Sequence, residues 1–332
     1  MRGKAMRKGD ERAPLREPLE RLDTDPDLRR ALLPFCRLKQ GGIWEDPVFG
    51  HRVGVLDATS PGQVAAITGD VSSPLCIADP PYNLRLRGRQ SAATGGVPAT
   101  DYDRFTRAWL DSLLPALAPS ASFYAWLGAD VRNGLHPIPE FIAEMRGRSG
   151  WEPRNWITLR NQRGYGTQKN WMWVRQELFY YARGTPHFDV AAEYTDIPKI
   201  LRGYYKEIGG ERTENAARGK ADTIRAGNVW VDVQQVFYRL HENVPGCYAQ
   251  KPLKAFERIV RSATAQTDWV IDPFAHSGTT LLACERTGRR AITFDIDPVF
   301  AEIAIRRLER FRRTGREGWQ CENPFPELAI ES

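Results

Sequence analysis

Asp79-Pro80-Pro81-Tyr82-Asn83 closes the apolar run Pro74-Leu75-Cys76-Ile77-Ala78. A buried strand that ends in such a turn brings one carboxylate, one rigid carbonyl and one aromatic ring to the carboxyl end of a sheet, where open α/β sheets bind their ligands. Prolines at a strand end also have a packing use, since they stop the ladder and fix φ. A second constellation, Asp272-Pro273-Phe274-Ala275-His276-Ser277-Gly278-Thr279-Thr280, follows a strand-like run and opens a helix-like one. Its backbone N–H groups and helix start suit a polar ligand. Asp295 ends the next apolar run 23 residues after Asp272, near the spacing at which a carboxylate meets ribose hydroxyls. Together these point to a nucleoside cofactor. The loop has neither G-x-G-x-x-G nor G-x-x-x-x-G-K-[ST], which disfavours NAD and ATP.

The elements that must position these residues are legible in outline. Val53–Leu56 and Pro74–Ala78 predict strands, and a short helix or turn begins near Ser60-Pro61. Phe105, Trp109, Leu113 and Leu117 recur at helical spacing, Ser122–Leu127 predicts a strand and Phe141–Arg146 a short helix. Asn155–Leu159 and Glu177–Tyr181 predict two further strands, separated by the glycine-containing stretch Asn161–Asn170. From Lys254 onward a helix face, the strand Trp269–Ile271, a helix over Ser277–Arg286, the strand Ala291–Phe294 and an amphipathic helix over Val299–Phe311 follow without a break. That α-β-α-β-α run calls for a mostly parallel sheet with helices on both faces. Gly88–Ala99 predicts a loop able to close over substrate, and 187–228 is polar with little core-forming pattern.

With 332 residues and 42% apolar residues the chain can bury a large core, and no stretch approaches the roughly 18 consecutive apolar residues of a membrane helix. The expectation is a soluble protein of the cytoplasm. Cys36, Cys76, Cys247, Cys284 and Cys321 are scattered, odd in number and form no C-x-x-C pair, so free thiols are expected rather than disulfides or structural zinc. Five dispersed His residues add no metal site. The formal charge of +6 suits a polyanionic partner, and Arg85, Arg87 and Arg89 directly after the Asp-Pro-Pro-Tyr turn are the candidate phosphate contacts. Trp151, Trp156, Trp171 and Trp173 have the chemistry to stack on bases and equally to pack in a core.

These motifs resemble the beta group of DNA amino-methyltransferases, which methylate adenine N6 or cytosine N4 from S-adenosylmethionine. Asp79, Pro80, Pro81 and Tyr82 match the catalytic motif and Asp272 to Thr280 the methionine-binding motif. Asp295-Ile296-Asp297-Pro298 resembles the ribose-binding turn, Gln250-Lys251-Pro252 the motif before the cofactor helix, and Asn228-Val229-Trp230 the end of the recognition insert. The order, catalytic motif first and cofactor motif last, is the circular permutation of that group. The resemblance spans about residues 50–311 and implies a Rossmann-like methyltransferase sheet with an inserted target-recognition region. The implied units are a partly ordered extension 1–45, a catalytic half 46–186, the insert 187–228, a cofactor half 229–315 and a tail 316–332. It implies S-adenosylmethionine without a metal, held by Asp57, Ala58, Ala78, Gln250, Lys251, Pro252, Asp272, Phe274, Ala275, His276, Ser277, Gly278, Thr279 and Asp295. Duplex DNA is the implied partner, and a homodimer is common in the group.

Three departures stand out. His276 occupies a place where the family usually has glycine, which predicts a loop less free to take positive φ. Cys247-Tyr248-Ala249 replaces the usual His-Pro-Thr, and Gln176-Glu177 resembles a His-Glu pair without its His. Asp79 in the first place of the turn favours adenine by resemblance, since cytosine N4 enzymes more often have Ser there. Both amines need the same two acceptors, so cytosine N4 stays open. A DNA-binding module that keeps the fold without turnover is the reading from another class.

Overall fold

Runs that are apolar on both faces must be covered on both, and four of them lie side by side here. The computed structural model describes residues 19, 21–22, 25–81, 99–128, 137–165, 171–199, 205–214, 221–237 and 240–328, so Tyr82, Arg85, Arg87 and Arg89 fall outside the described residues. Strands β2 (Arg52–Val55), β13 (Arg290–Asp295), β12 (Trp269–Asp272) and β3 (Ser73–Ala78) are adjacent in that order and mutually parallel. Next to β3 comes β4 (Leu117–Leu127), parallel to it. Then β6 (Trp173–Arg183) runs antiparallel to both β4 and β5 (Trp151–Tyr165). At the two edges stand β11 (Val229–Trp230), parallel to β5, and β1 (Ile43–Glu45), antiparallel to β2. Among the described residues these nine strands form one mixed, mostly parallel sheet.

Alternation along the strands divides the core. Leu75 and Ile77 of β3 join the cluster under α5 (Leu253–Ala263), α6 (Thr279–Thr287) and α7 (Pro298–Thr314). Cys76 and Ala78 join the cluster under α2 (Pro61–Thr68), α3 (Ala99–Leu113) and α4 (Pro137–Arg146). Each large side chain so buried contributes about 1.5–3 kcal/mol, which is why neither face tolerates a slip of one residue. Helix ends follow local chemistry: Asp297 accepts the Val299 N–H at 2.9 Å with Pro298 at the first position of α7, and Gly315 ends it at φ 71°. Arg312 on α7 pairs with Asp46 and Glu285, tying the β1–β2 turn to α6, and the buried His51 bonds Glu285 at 2.9 Å.

Several elements differ from the sequence expectation. The sheet begins ahead of Val53, at β1, whose edge position leaves it little apolar pattern to read. Strand β5 continues through Tyr165, because its partner Trp173 on β6 holds the ribbon together well past Leu159. Of the extension 1–45, Leu19 and Leu22 are buried with Leu32, Val244, Phe300 and Trp319 in a third cluster. That cluster also carries α1 (Pro26–Leu32). Within 187–228, β7 (Tyr194–Pro198) pairs with β10 (Thr223–Arg225), and β8 (Tyr205–Ile208) with β9 (Glu211–Glu214), both outside the main sheet. Gly209 and Gly210 both take positive φ, as a two-residue hairpin turn requires.

Candidate active site

Four neighbouring parallel strands deliver a carboxylate to the same edge of the sheet. Asp272 ends β12 and Asp295 ends β13, while Asp57 and Asp79 follow β2 and β3 directly or within two residues. From β12 the chain crosses to β13 through α6 on one face, and from β3 it crosses to β4 through α3 on the other. Adjacent strands whose connections leave in opposite directions open a crevice at their carboxyl ends. Asp272 and Asp79 flank it.

Burial lifts Asp272 to about 7, against hydrogen bonds from the Thr280 hydroxyl and the Phe274 N–H, and the charges of Asp79 and Asp295 lift it further. Burial likewise lifts Asp295 to about 6, although its oxygens accept the Asp297 N–H at 2.9 Å and the His276 N–H at 3.0 Å. Crowded carboxylates held near neutrality favour a cationic ligand, which relieves their mutual repulsion. Each Asp295 oxygen keeps a lone pair beyond its one backbone bond, enough to accept hydroxyls as well.

The loop between β12 and α6 is fixed from behind. Ala275 donates its N–H to the Phe294 carbonyl at 2.9 Å, and the Phe274 ring meets Trp109 edge-on at 5.4 Å. Gly278 takes φ 73°, and a Cβ there would stand 2.7 Å from the Ala304 Cβ. His276 corrects the expectation drawn from its missing glycine: it does take positive φ, 43°. Its N–H on Asp295 and its ring 4.5 Å from Phe300 hold it there. Ser277 and Thr279 are buried, and their loop is gripped by Arg307, which donates to the Ser277 carbonyl at 3.0 Å and the Thr279 hydroxyl at 3.2 Å. The same guanidinium reaches the Glu242 carbonyl, and burial lowers it to about 10.

Gln250 bridges the Glu242 carbonyl and the Val244 N–H at 2.7 and 2.8 Å, shaping the segment before α5. Glu242 in turn accepts the N–H of Leu253, the first residue of α5. Lys251, next in line, sends its ammonium to Asp79 Oδ2 at 2.6 Å and over the Trp126 ring at 5.6 Å. Pro252 is the N-cap residue of α5. Pro80 is buried and Pro81 half-buried, Ala58 and Ala78 are buried beside the crevice, and Asp57 turns its carboxylate onto the Thr59 N–H and hydroxyl.

Sequence reasoning missed Arg307, Glu242, Trp126 and Tyr102, which is buried on α3 and feels the Asp79 charge. Arg307 did leave a trace. It sits among Ile303, Ala304 and Leu308 on the apolar face of α7, and a charge there must be paired. The four tryptophans divide: Trp151 is buried, Trp156 is 46% and Trp171 91% exposed, and nothing is described of the Trp173 side chain. All five cysteines are free, and burial pushes Cys36 up to about 12 and raises the Cys76 and Cys284 thiols well above their ordinary range, so none of these three is a poised thiolate. Among the described residues no group of His, Cys, Asp and Glu is arranged to hold a metal ion, and no helix is long and apolar enough to cross a membrane.

The chain is similar to known proteins over most of its length. A family model described as DNA methylase matches residues 74–306, well over half of the chain. The type II methyltransferase M.HpaI of Haemophilus parainfluenzae is 26% identical over 236 residues, 71% of this chain and 68% of its own length. M.BamHI of Bacillus amyloliquefaciens is 25% identical over 224 residues, 66% of this chain but only 49% of the relative. Among solved structures, the PvuII DNA methyltransferase, described as cytosine-N4-specific, superposes with a TM-score of 0.51 at 14% identity, covering 72% of this chain and 81% of that one. It supports the fold alone.

Proposed function

The chain belongs to the DNA methylase family, and we propose from that premise that it methylates the exocyclic N6 amine of adenine in duplex DNA. It is an S-adenosylmethionine-dependent DNA methyltransferase of the amino-methylating type. The choice of adenine rests on Asp79, the carboxylate in the first place of the catalytic turn at the crevice between β12 and β3.

The residues at the edge fit the cofactor. Asp272, buried, and Asp295, half-buried, both raised toward neutrality, suit a ligand that carries an ammonium, a sulfonium and ribose hydroxyls. S-adenosylmethionine supplies an electrophilic methyl group on a positively charged sulfur. In this reading Asp295 holds the ribose hydroxyls, and the Phe274–Thr279 loop and Asp272 hold the methionine end. Gln250 and Pro252 shape the segment that closes the pocket.

An exocyclic amine is a poor nucleophile because its lone pair is delocalised into the ring. Hydrogen bonds from that amine to the Asp79 carboxylate and the Pro80 carbonyl draw the nitrogen toward tetrahedral geometry and free the lone pair. Pro81 keeps both acceptors in place without reorganisation. Held so, the amine would accept the methyl group that the cofactor supplies, its sulfonium leaving as the thioether, and the surplus proton would pass toward Asp79 and solvent. Tyr82 stacks on the base, which must leave the duplex to reach the crevice, and Arg85, Arg87 and Arg89 bind phosphates.

The test is incubation with methyl-labelled S-adenosylmethionine and mixed-sequence duplex DNA, digestion to nucleosides and separation by mass spectrometry. Label in N6-methyladenine nucleoside is expected and is lost in Asp79→Ala with cofactor binding retained. Label in N4-methylcytosine nucleoside would overturn the choice of base, and near-normal turnover of Asp79→Ala would overturn the mechanism.

A further inference from the structure

The acceptor meant for the target amine already has a donor. Lys251 Nζ lies 2.6 Å from Asp79 Oδ2, with the two side chains 10% and 17% exposed. Its ammonium also faces the Trp126 ring, 5.6 Å from the centroid. That ring is held rigidly: its indole N–H donates to Gln176 Oε1 at 2.9 Å, and Phe256 stacks on it at 5.5 Å and 10°. Gln176, Trp126, Lys251 and Asp79 thus form one chain of contacts running from β6 across β4 to the catalytic turn.

We propose that Lys251 is a positioning residue that stands in for the target amine, holding Asp79 aimed into the crevice until the amine displaces it. The proposal rests on the reading of Asp79 as the amine acceptor. The ammonium occupies one side of the carboxylate at Oδ2, so a base approaching from that side enters as the ammonium gives way along the Trp126 face. Withdrawal is also what the chemistry requires. A nitrogen that takes on a methyl group becomes positive, and a fixed ammonium 2.6 Å from its acceptor would oppose that charge.

The groups facing Asp79 make its lysine consequential. Asp272 on β12 and Tyr102 on α3 both feel its charge, Asp295 stands behind Asp272, and Asp103 and Glu140 face Tyr102. Lys251 is a cation bonded to Asp79 within this acidic neighbourhood. Without it the carboxylate loses a favourable charge 2.6 Å away while the repulsion from its acidic neighbours stays.

Steady-state kinetics of the full chain on unmethylated mixed-sequence duplex DNA, across pH, test this with three variants. In Lys251→Met the KM for DNA falls by about threefold or more, and the acid limb of kcat/KM moves up by about one pH unit. In Lys251→Gln, which keeps an N–H donor without charge, the limb moves as in Lys251→Met while KM stays near the original. Lys251→Arg restores the limb and raises KM, because a guanidinium grips a carboxylate through two donors. Thermal midpoints and cofactor titration of each variant check the fold. An unmoved limb and unmoved KM in Lys251→Met and Lys251→Gln would overturn the proposal, as would a loss confined to cofactor affinity. Absence of methyl transfer by the unaltered chain would instead overturn the reading of function.

Discussion

Gly278 and Gly288 cap the two ends of α6 with nearly the same backbone, φ 73° and 72°, and differ in what surrounds them. Ala at either position must hold the left-handed conformation, at a cost of about 1–2 kcal/mol. At Gly288 nothing lies within 4 Å of the added methyl. At Gly278 the methyl would meet the Ala304 Cβ at 2.7 Å and its Cα at 2.8 Å. Those are backbone and first side-chain atoms of α7, so no rotamer change relieves the overlap. Helix α7 must retreat or the loop must rise, an overpacking cost of roughly 1–3 kcal/mol. Gly278→Ala therefore loses about 2–5 kcal/mol and Gly288→Ala about 1–2. At roughly 2–4 °C per kcal/mol this is a fall of about 4–20 °C against about 2–8 °C, read by thermal or urea unfolding of the cofactor-free chain. Calorimetric titration then separates the functional part, since a raised loop moves the Phe274–Thr279 backbone away from its ligand. Gly278→Ala weakens S-adenosylmethionine binding and Gly288→Ala leaves it near the original. Equal losses in the two variants would refute the close approach of α7 as the reason for the glycine.

Asp272 and Asp295, raised to about 7 and about 6, give the cofactor-free chain a stabilising contribution that is full below the ordinary carboxylate range and lost as pH rises through 6–7. A cationic cofactor needs them ionised, so its affinity weakens by roughly tenfold or more from about pH 7.5 to about pH 5.5, and its thermal stabilisation shrinks in step; a Kd flat across that range would reject the carboxylate pocket. Arg312 holds Asp46 and Glu285 down near 2: burial opposes their charge, and the guanidinium's hydrogen bonds outweigh it. Stability from that network is present above the ordinary carboxylate range and lost as pH falls toward 2. Arg312→Leu removes about 3–5 kcal/mol at neutral pH and flattens the acid dependence, measured by urea unfolding at several pH values, and an undiminished acid slope would count against it.

What the sequence disclosed, and what it withheld, follows from the range of each interaction. The strands β3, β12 and β13 are short apolar runs bounded by Asp and Pro, a signal carried entirely within a few residues. The turn at Asp79 and the loop from Asp272 are local for the same reason, and the structure brings both to one edge of the sheet. The ends of β5 were not, since Tyr165 stays in the ribbon through pairing with Trp173 rather than through its own neighbours. His276 was misjudged on intrinsic preference alone. Its positive φ is maintained by a bond to Asp295, 19 positions further along, and by contact with Phe300 on α7.

The deepest gap between sequence and site is topological. Strands β12 and β13, residues 269–295, insert between β2 and β3, which end and begin within 20 residues of each other near the start of the chain. The crevice therefore exists only once two distant segments have paired, and Lys251 meets Asp79 across 172 positions. A lysine in the Gln-Lys-Pro segment has nothing in its own surroundings to mark its partner, and resemblance assigned it to the cofactor. The register of β12 against β3, Val270 with Leu75 and Ile271 with Cys76, is what sets Asp272 beside Asp79 and brings the start of α5 over the catalytic turn. A one-residue slip in that pairing would turn every side chain of β12 to the opposite face, so the same apolar alternation that builds the two cores also sets the Asp272 loop beside the Asp79 turn.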